Sequence, residues 1–544
     1  STGTYEDWEN IVKKSKLNRN TTISGKHNGT DYKGVIEMRS NGQNGGLGIF
    51  GDTRFEHIAF KHKEGKYDIL YCQYNNLEMG EGVVMKNYPN SPGYGTMDGS
   101  ATMSFQIFGG FNNDNRFVPV SNKTALQNME EAMPHGREGF RITLKSGFYS
   151  CICAGGRQND NNLNGIMGTP DMPVKCTIEM DIDREWNDKD NHNLLSTNTE
   201  VNYDAGIIMA GNHEGAMFGD VDIIIKSGYV GRVVNGTLGN VRNYYFTVGE
   251  QKYYFPNNTY MGRANILLDP ASSRYAKEAD TEEMVNARVV VTELYGGSCG
   301  RGFENNIIVD NPFYGISTVT IKGGTFKPIW PDNVSDDNKA KTISGIFGAG
   351  AGGMTGLGNE THHTPDDRIP YWSGENLLYG DYSAAFANRA KYRCYNTDTH
   401  TFTDIDPYDT ETSIVIEGGV FGAESDLTLF DGIYGGGSGY MATGLWTNTG
   451  AVPNKYGGNI YGSPGKTVSS LIINGGKFYC KNGIFAGGRG TEYYYEENSY
   501  GANGETVTIK DVSYTEPTAS DYTSLGQIYG NVEMNINGGV FHCP

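Results

Sequence analysis

A short phrase recurs six times along this chain, and its form restricts the fold more than any other feature. Val319-Thr-Ile-Lys-Gly-Gly-Thr-Phe326 is one copy; the others occupy residues 142–148, 223–229, 414–421, 471–478 and 534–541. Each alternates apolar with polar residues, turns at one or two glycines, then resumes on an aromatic residue. Alternation makes a strand with one buried face, and glycine permits the positive-φ corner that ends it. A second phrase follows at variable distance: Cys151-Ile-Cys-Ala-Gly-Gly156, Gly345-Ile-Phe-Gly-Ala-Gly350, Gly432-Ile-Tyr-Gly-Gly-Gly437 and Gly483-Ile-Phe-Ala-Gly-Gly488. A third precedes it, as Met217-Phe-Gly219, Phe313-Tyr-Gly315, Ile460-Tyr-Gly462 and Ile528-Tyr-Gly530. Three short strands per repeat, each closed by a glycine corner, describe one rung of an all-β solenoid.

Composition supports a single elongated body. The 544 residues include 76 glycines but only 18 prolines, with 36 tyrosines and 23 phenylalanines to build a core, so disorder is not expected. A formal charge of −19 excludes nucleic acid and anionic membrane as partners, since both would repel it. No apolar run reaches the roughly 20 residues that a spanning helix needs. The polar start at Ser1 fits a processed mature chain, and the Asn/Gly/Tyr-rich composition fits an extracellular or cell-surface location. Eight cysteines are too sparse for a disulfide scaffold and read as small buried hydrophobes. Seven N-x-S/T sites, Asn235 among them, have meaning only in a eukaryotic producer.

Residues 4–16 read as an amphipathic helix, with Thr4 and Asp7 as a capping box and Trp8, Ile11 and Val12 on its apolar face. Residues 1–20 are thus expected to form a capping helix and lead-in, with the repeat body over 21–544. The final glycines of the six phrases fall at 147, 228, 324, 419, 476 and 539, steps too long and unequal for single rungs. Further degenerate rungs and insertions are expected between them. The largest insertions are 242–288, 354–411, 440–467 and 491–524, and loops of this kind are where function concentrates.

In these phrases the chain resembles right-handed parallel β-helix proteins of the pectin-lyase-like superfamily, and more narrowly the glycine-rich GGxF-repeat proteins that gut Bacteroidota secrete or display. The resemblance implies a single right-handed parallel β-helix from about Thr21 onward. It implies fold rather than activity, because polysaccharide lyases, glycoside hydrolases, adhesins and accessory proteins of outer-membrane glycan uptake share that frame.

Catalytic signatures are weak. A pectin-type hydrolase would carry an NTD strand, an Asp pair, GHG and RIK; Asn396-Thr-Asp398 and Asp366-Asp367 are present, both within the 354–411 insertion, and GHG and RIK are missing. Asn112–Asn115, Gln158–Asn162 and the run starting Asp181-Ile-Asp183 are oxygen-rich enough to leave a structural calcium open, although none follows an EF-hand. No other cofactor or metal is expected. Arg157 and Arg489 both follow an Ala-Gly-Gly corner and read as structural, capping carbonyls or pairing with an insertion acid.

The aromatic residues carry more weight. Trp186, Trp330, Trp372 and Trp446 all fall in insertions, joined there by Tyr371 and by Tyr493, Tyr494 and Tyr495. Sugars stack their C–H faces on such rings, and exposed Trp and Tyr also anchor protein partners. The expected function is therefore non-catalytic binding of a glycan or a surface protein through these loops, with a β-helix lyase or glycoside hydrolase as the alternative.

Overall fold

The computed structural model describes residues 21–27, 34–39, 46–64, 67–86, 104–110, 133–156, 166–168, 172–183, 203–213, 216–237, 259–299, 313–329, 344–350, 410–438, 460–462, 465–489 and 528–543. It also describes short strand pieces at 3–4, 30–31, 245–248, 251–254, 303–304, 307–308, 369–373, 376–380, 392–396, 401–405, 499–500 and 506–507. The fold is all-β, built on parallel ladders whose strands come from successive repeats.

Eleven strands form the first ladder, each paired in parallel with the next. In chain order they are Thr21–Ser24, Thr53–Glu56, Leu77–Met79, Phe140–Leu144, Val174–Asp181, the first half of Ala216–Val234, Tyr260–Leu268, Phe313–Ile321, Glu411–Ile416, Thr467–Ile473 and Asn531–Ile536. A second ladder runs from Leu47–Gly48 through Tyr67–Tyr71, Ser104–Phe108, Tyr149–Cys153 and Ala205–Met209. It continues through the second half of Ala216–Val234 and Val289–Tyr295 to Gly345–Phe347, Gly432–Tyr434 and Gly483–Phe485. A third sheet stacks Gly3–Thr4, Gly34–Arg39, Ile58–Glu64 and Val84–Lys86.

Parallel pairing places equivalent side chains in columns about 4.8 Å apart. One inward column of the first ladder reads Leu144, Met180, Ile225, Leu268, Ile321, Ile416, Ile473 and Ile536. The next reads Ile142, Ile178, Ile223, Ile266, Val319, Ile414 and Leu471. Ile142 thus stacks one column away from Ile225, and both columns belong to the core. Aromatic columns behave likewise: Phe326, Phe421, Phe478 and Phe541 stack at 4.9, 4.6 and 4.8 Å between ring centres. The ladders stop burying side chains at the rung of Asn531–Ile536 and Val540–His542. There Ile536 is 52% exposed and Phe541 40%, because no described residue stacks beyond them.

All six phrase-ending glycines, Gly147, Gly228, Gly324, Gly419, Gly476 and Gly539, have positive φ between 91° and 129°, the corner expected of them. The long steps resolve in two ways. Those from Gly147 to Gly228 and Gly228 to Gly324 each hold an additional rung, Val174–Asp181 and Tyr260–Leu268. From Gly324 onward each step is a single rung, since Phe313–Ile321 pairs directly with Glu411–Ile416 and that strand with Thr467–Ile473. The excess length there is insertion.

The 354–411 insertion contains two antiparallel hairpins, Ile369–Ser373 with Asn376–Gly380 and Tyr392–Asn396 with Thr401–Ile405. The expected helix over 4–16, with Trp8, lies outside the described residues except for Thr4, which ends a short strand against Ile36 and Glu37. Asn235 is buried and donates its amide to Ala264 and Thr318 carbonyls and the Ser317 hydroxyl, so its N-x-T motif is closed to modification in the folded chain.

Candidate functional site

The outer face of the first ladder gathers residues that are remote in sequence. Because successive residues of a strand face opposite sides, those between the core positions point outward. Lys175, Asp220 and Arg263 share one outward column. Beside it run Thr177, Asp222, Asn265, Thr318, Ser413 and Ser470. A third column reads Glu179, Ile224, Leu267, Thr320, Val415 and Ile472, all half-buried.

The charged end of this face is cross-linked. Arg263 donates from Nε to Asp220 at 2.6 Å and from Nη1 to Asp222 at 3.1 Å, so one guanidinium spans two carboxylates on the neighbouring rung. Asn265 donates to Asp222 at 2.8 Å. Lys175 approaches Asp220 from the other side at 4.0 Å. Asp220 is fully buried whereas Asp222 is about a third exposed. Burial raises the Asp222 carboxyl above its usual range, and the neighbouring Asp220 charge adds to this while Arg263 opposes it. Two carboxylates held against one arginine, with one of them more readily protonated, form an arrangement able to exchange a proton or grip a cationic or hydroxylic ligand.

Next to this group, Lys226 donates to Glu179 at 2.7 Å and Arg141 pairs with the same carboxylate. Burial alone would raise Glu179, but the Lys226 hydrogen bond and charge, with Arg141, outweigh it and hold the carboxyl below its usual range. A depressed folded value gives stability that is present above the unfolded carboxylate value, about pH 4.3, and lost as pH falls through the folded value. Glu179→Gln is therefore expected to flatten the acid limb of a Tm-against-pH profile; an unchanged limb would dismiss the pairing. Counted together, Lys175, Arg263, Arg141 and Lys226 face Asp220, Asp222 and Glu179, so this cluster is not negative although the chain is.

The connection 269–288, within the segment read as insertion 242–288, borders the same face. Asp181 accepts from the Ser273 hydroxyl at 2.7 Å and the Arg274 backbone N–H at 3.0 Å, which ties this connection down. Asp181 is thereby drawn into a loop anchor; Asp183 is described, and the rest of its oxygen-rich run lies outside the described residues. Arg274 stacks on the Tyr275 ring at 4.7 Å and reaches Glu81 at 3.2 Å. Tyr275 is a further aromatic of this insertion, and only its neighbourhood in space marks it.

Arg489 is structural, as expected, but its acid partner Asp431 lies beside the repeat phrases and not in an insertion. Its Nε lies 3.0 Å from Asp431, whose carboxylate also accepts from Tyr434 at 2.9 Å and Asn482 at 2.7 Å. Tyr434 belongs to a ring column of Tyr295, Phe347, Tyr434 and Phe485 spaced 5.0, 5.3 and 5.2 Å apart.

Of the aromatic residues singled out in the insertions, Tyr371 and Trp372 sit on the first strand of the Ile369–Ser373 hairpin, opposite Leu378 and Leu377. Trp186, Trp330, Trp446, Tyr493, Tyr494 and Tyr495 lie outside the described residues, as do Arg157, His362-His363, Asp366-Asp367 and the runs 112–115 and 158–162. Among the described residues no group of three His, Cys, Asp or Glu side chains is placed to hold a metal ion, and no helix is long and apolar enough to cross a membrane. No family model, curated protein or solved structure matches the chain.

Proposed function

We propose that the chain is a secreted or surface-displayed glycan-binding protein whose rungs wind as one right-handed parallel β-helix, capped at its amino end. It serves as an adhesin or as an accessory subunit of an outer-membrane glycan-uptake system. The carrying observation is the juxtaposition of two outward columns. Asn265, Thr318, Ser413 and Ser470 line up hydroxyl and amide groups, and Ser470 donates to Ser413 at 2.9 Å. Immediately alongside, Leu267, Thr320, Val415 and Ile472 offer a mostly apolar strip in the same register. A pyranose chain has the same two characters, hydroxyl edges and C–H faces, so a strand of sugars can satisfy both columns at once. The insertions bear Trp186, Trp330, Tyr371, Trp372, Trp446 and Tyr493–Tyr495, ring types on which sugars stack.

A panel of polysaccharides tested for both retention and newly formed chain ends examines this reading. Retention without cleavage is expected. Each ligand hydrogen bond is worth about 0.5–1.5 kcal/mol, so the triple replacement Asn265→Ala, Thr318→Val, Ser413→Ala should weaken binding at least tenfold while the strand content stays intact. Unchanged retention in that variant would remove the ladder floor from the proposal. Loss confined to Trp372→Ala would move the site to the hairpin.

The Asp220–Asp222–Arg263–Lys175 group favours one second reading, a lyase or glycoside hydrolase. Stacked acids and bases on one sheet face are what such chemistry uses, and two cations there balance the two carboxylates in a chain whose net charge is −19. New reducing or unsaturated ends that vanish in Asp222→Asn would establish it.

A further inference from the structure

Most of the cysteines behave as small buried hydrophobes, but two of them stand in a relation the others lack. Tyr479 pairs in register with His542, and the Cys480 N–H donates to the His542 carbonyl at 3.2 Å, so Cys480 and Cys543 are the next register partners of two adjacent parallel strands. Both side chains join the main core, and the two thiols are hydrogen-bonded to each other. Both are reduced in the structure. Paired residues of parallel strands have Cα atoms about 4.8 Å apart, inside the roughly 4.4–6.8 Å range that a disulfide requires.

We propose that Cys480 and Cys543 form a disulfide that fastens the Asn531–Ile536 and Val540–His542 rung to the one before it. That rung is where such a bond has most to hold: Val532, Ile536, Val540 and Phe541 are all exposed there, and among the described residues one rung stacks on it. The contrast with Cys151 and Cys153 is instructive. Their sulfurs are 3.4 Å apart, but they are two residues apart on one strand, at the limit of permitted Cα separation, and both are fully buried. Cys543 is partly exposed, so an oxidant can reach it.

The reaction is exchange with a small-molecule disulfide of the glutathione class. The Cys543 thiolate attacks one sulfur of that disulfide and expels one thiolate, giving a mixed disulfide. Cys480 then gives up its proton and attacks the Cys543 sulfur, expelling the second small thiolate. Two electrons and two protons leave with the two released thiols.

Peptide mapping of the full chain tests this after incubation in an oxidised/reduced glutathione mixture and alkylation of remaining thiols. The expected product is one linked pair of peptides carrying Cys480 and Cys543, lighter than the two reduced peptides by two hydrogens, with the other six cysteines alkylated once the chain is unfolded. Free thiols at both positions, or a link from either to a different cysteine, would overturn the proposal. Cys543→Ser, at the partly exposed member, separates the bond from the fold. Dithiothreitol should accelerate amide exchange across 531–543 in the natural chain and leave the variant unaffected. Equal response of both chains would deny the bond its fastening role.

Discussion

Arg232→Met is expected to destabilise the chain by about 3–5 kcal/mol. Arg232 and Glu293 are adjacent in one outward column of the second ladder and are 0% and 1% exposed. The guanidinium Nε donates to the Glu293 carboxylate at 2.6 Å and its carbon lies 5.7 Å from the centre of the Tyr295 ring. Around them sits a second apolar cluster containing Cys151, Ile207, Val234 and Phe347. Burial raises the Glu293 carboxyl, with Arg232 opposing the rise, so removing the arginine leaves a buried carboxyl with its main counterweight gone. Its folded value then stands further above the unfolded one, and stability falls as pH rises through that interval. The variant should therefore be relatively more stable at acidic pH than at neutral pH. The double change Arg232→Met, Glu293→Leu should recover most of the loss, because Ile207 and Cys151 already make that column apolar. Urea denaturation of the three chains decides it. Equal losses in single and double variants would show that the ion pair matters for its shape and not for its charge.

The second large effect contrasts two isoleucines of one column. Ile321→Ala removes a fully buried side chain between Leu268 and Ile416, and should cost about 2–5 kcal/mol through lost transfer energy and the cavity left behind. Ile536→Ala makes the same chemical change where the side chain is half exposed, and should cost under about 0.5 kcal/mol. Hydrogen exchange would report the first as faster opening of the rungs around 313–321 and 411–416. Similar penalties at both sites would mean that something covers the Asn531–Ile536 rung in solution.

How much of the fold is legible in the sequence depends on distance along the chain. The six phrases are legible because strand, corner and aromatic lie within eight residues, and a positive-φ corner selects glycine. Val174–Asp181 and Tyr260–Leu268 are not, since neither ends in such a glycine: the first passes into Ile182 and Asp183, the second into Asp269 and Pro270. Their core positions are filled by Met180 and Leu268 in place of isoleucine, which a column tolerates as long as volume is kept. The outer face is illegible for a different reason. Lys175, Asp220 and Arg263 are more than 40 residues apart in sequence and become neighbours only when the register is known. Tryptophans in insertions stand out in composition, whereas a column of Thr, Ser and Asn has no local signature at all.

Between Ile316 and its register partner Glu411 the chain completes the rung through Thr325–Phe326 and Gly345–Phe347 and then carries two antiparallel hairpins. The frame therefore asks of the inserted segment only that it leave one rung after Gly345–Phe347 and rejoin the next at Glu411–Ile416. Whatever satisfies this can be exchanged for whatever is there now, in the way a tool is changed on a fixed handle. Lineages carrying this frame can diversify the segments it carries by recombining them at rung boundaries, without renegotiating the core. An engineer can graft a foreign hairpin at the same seam.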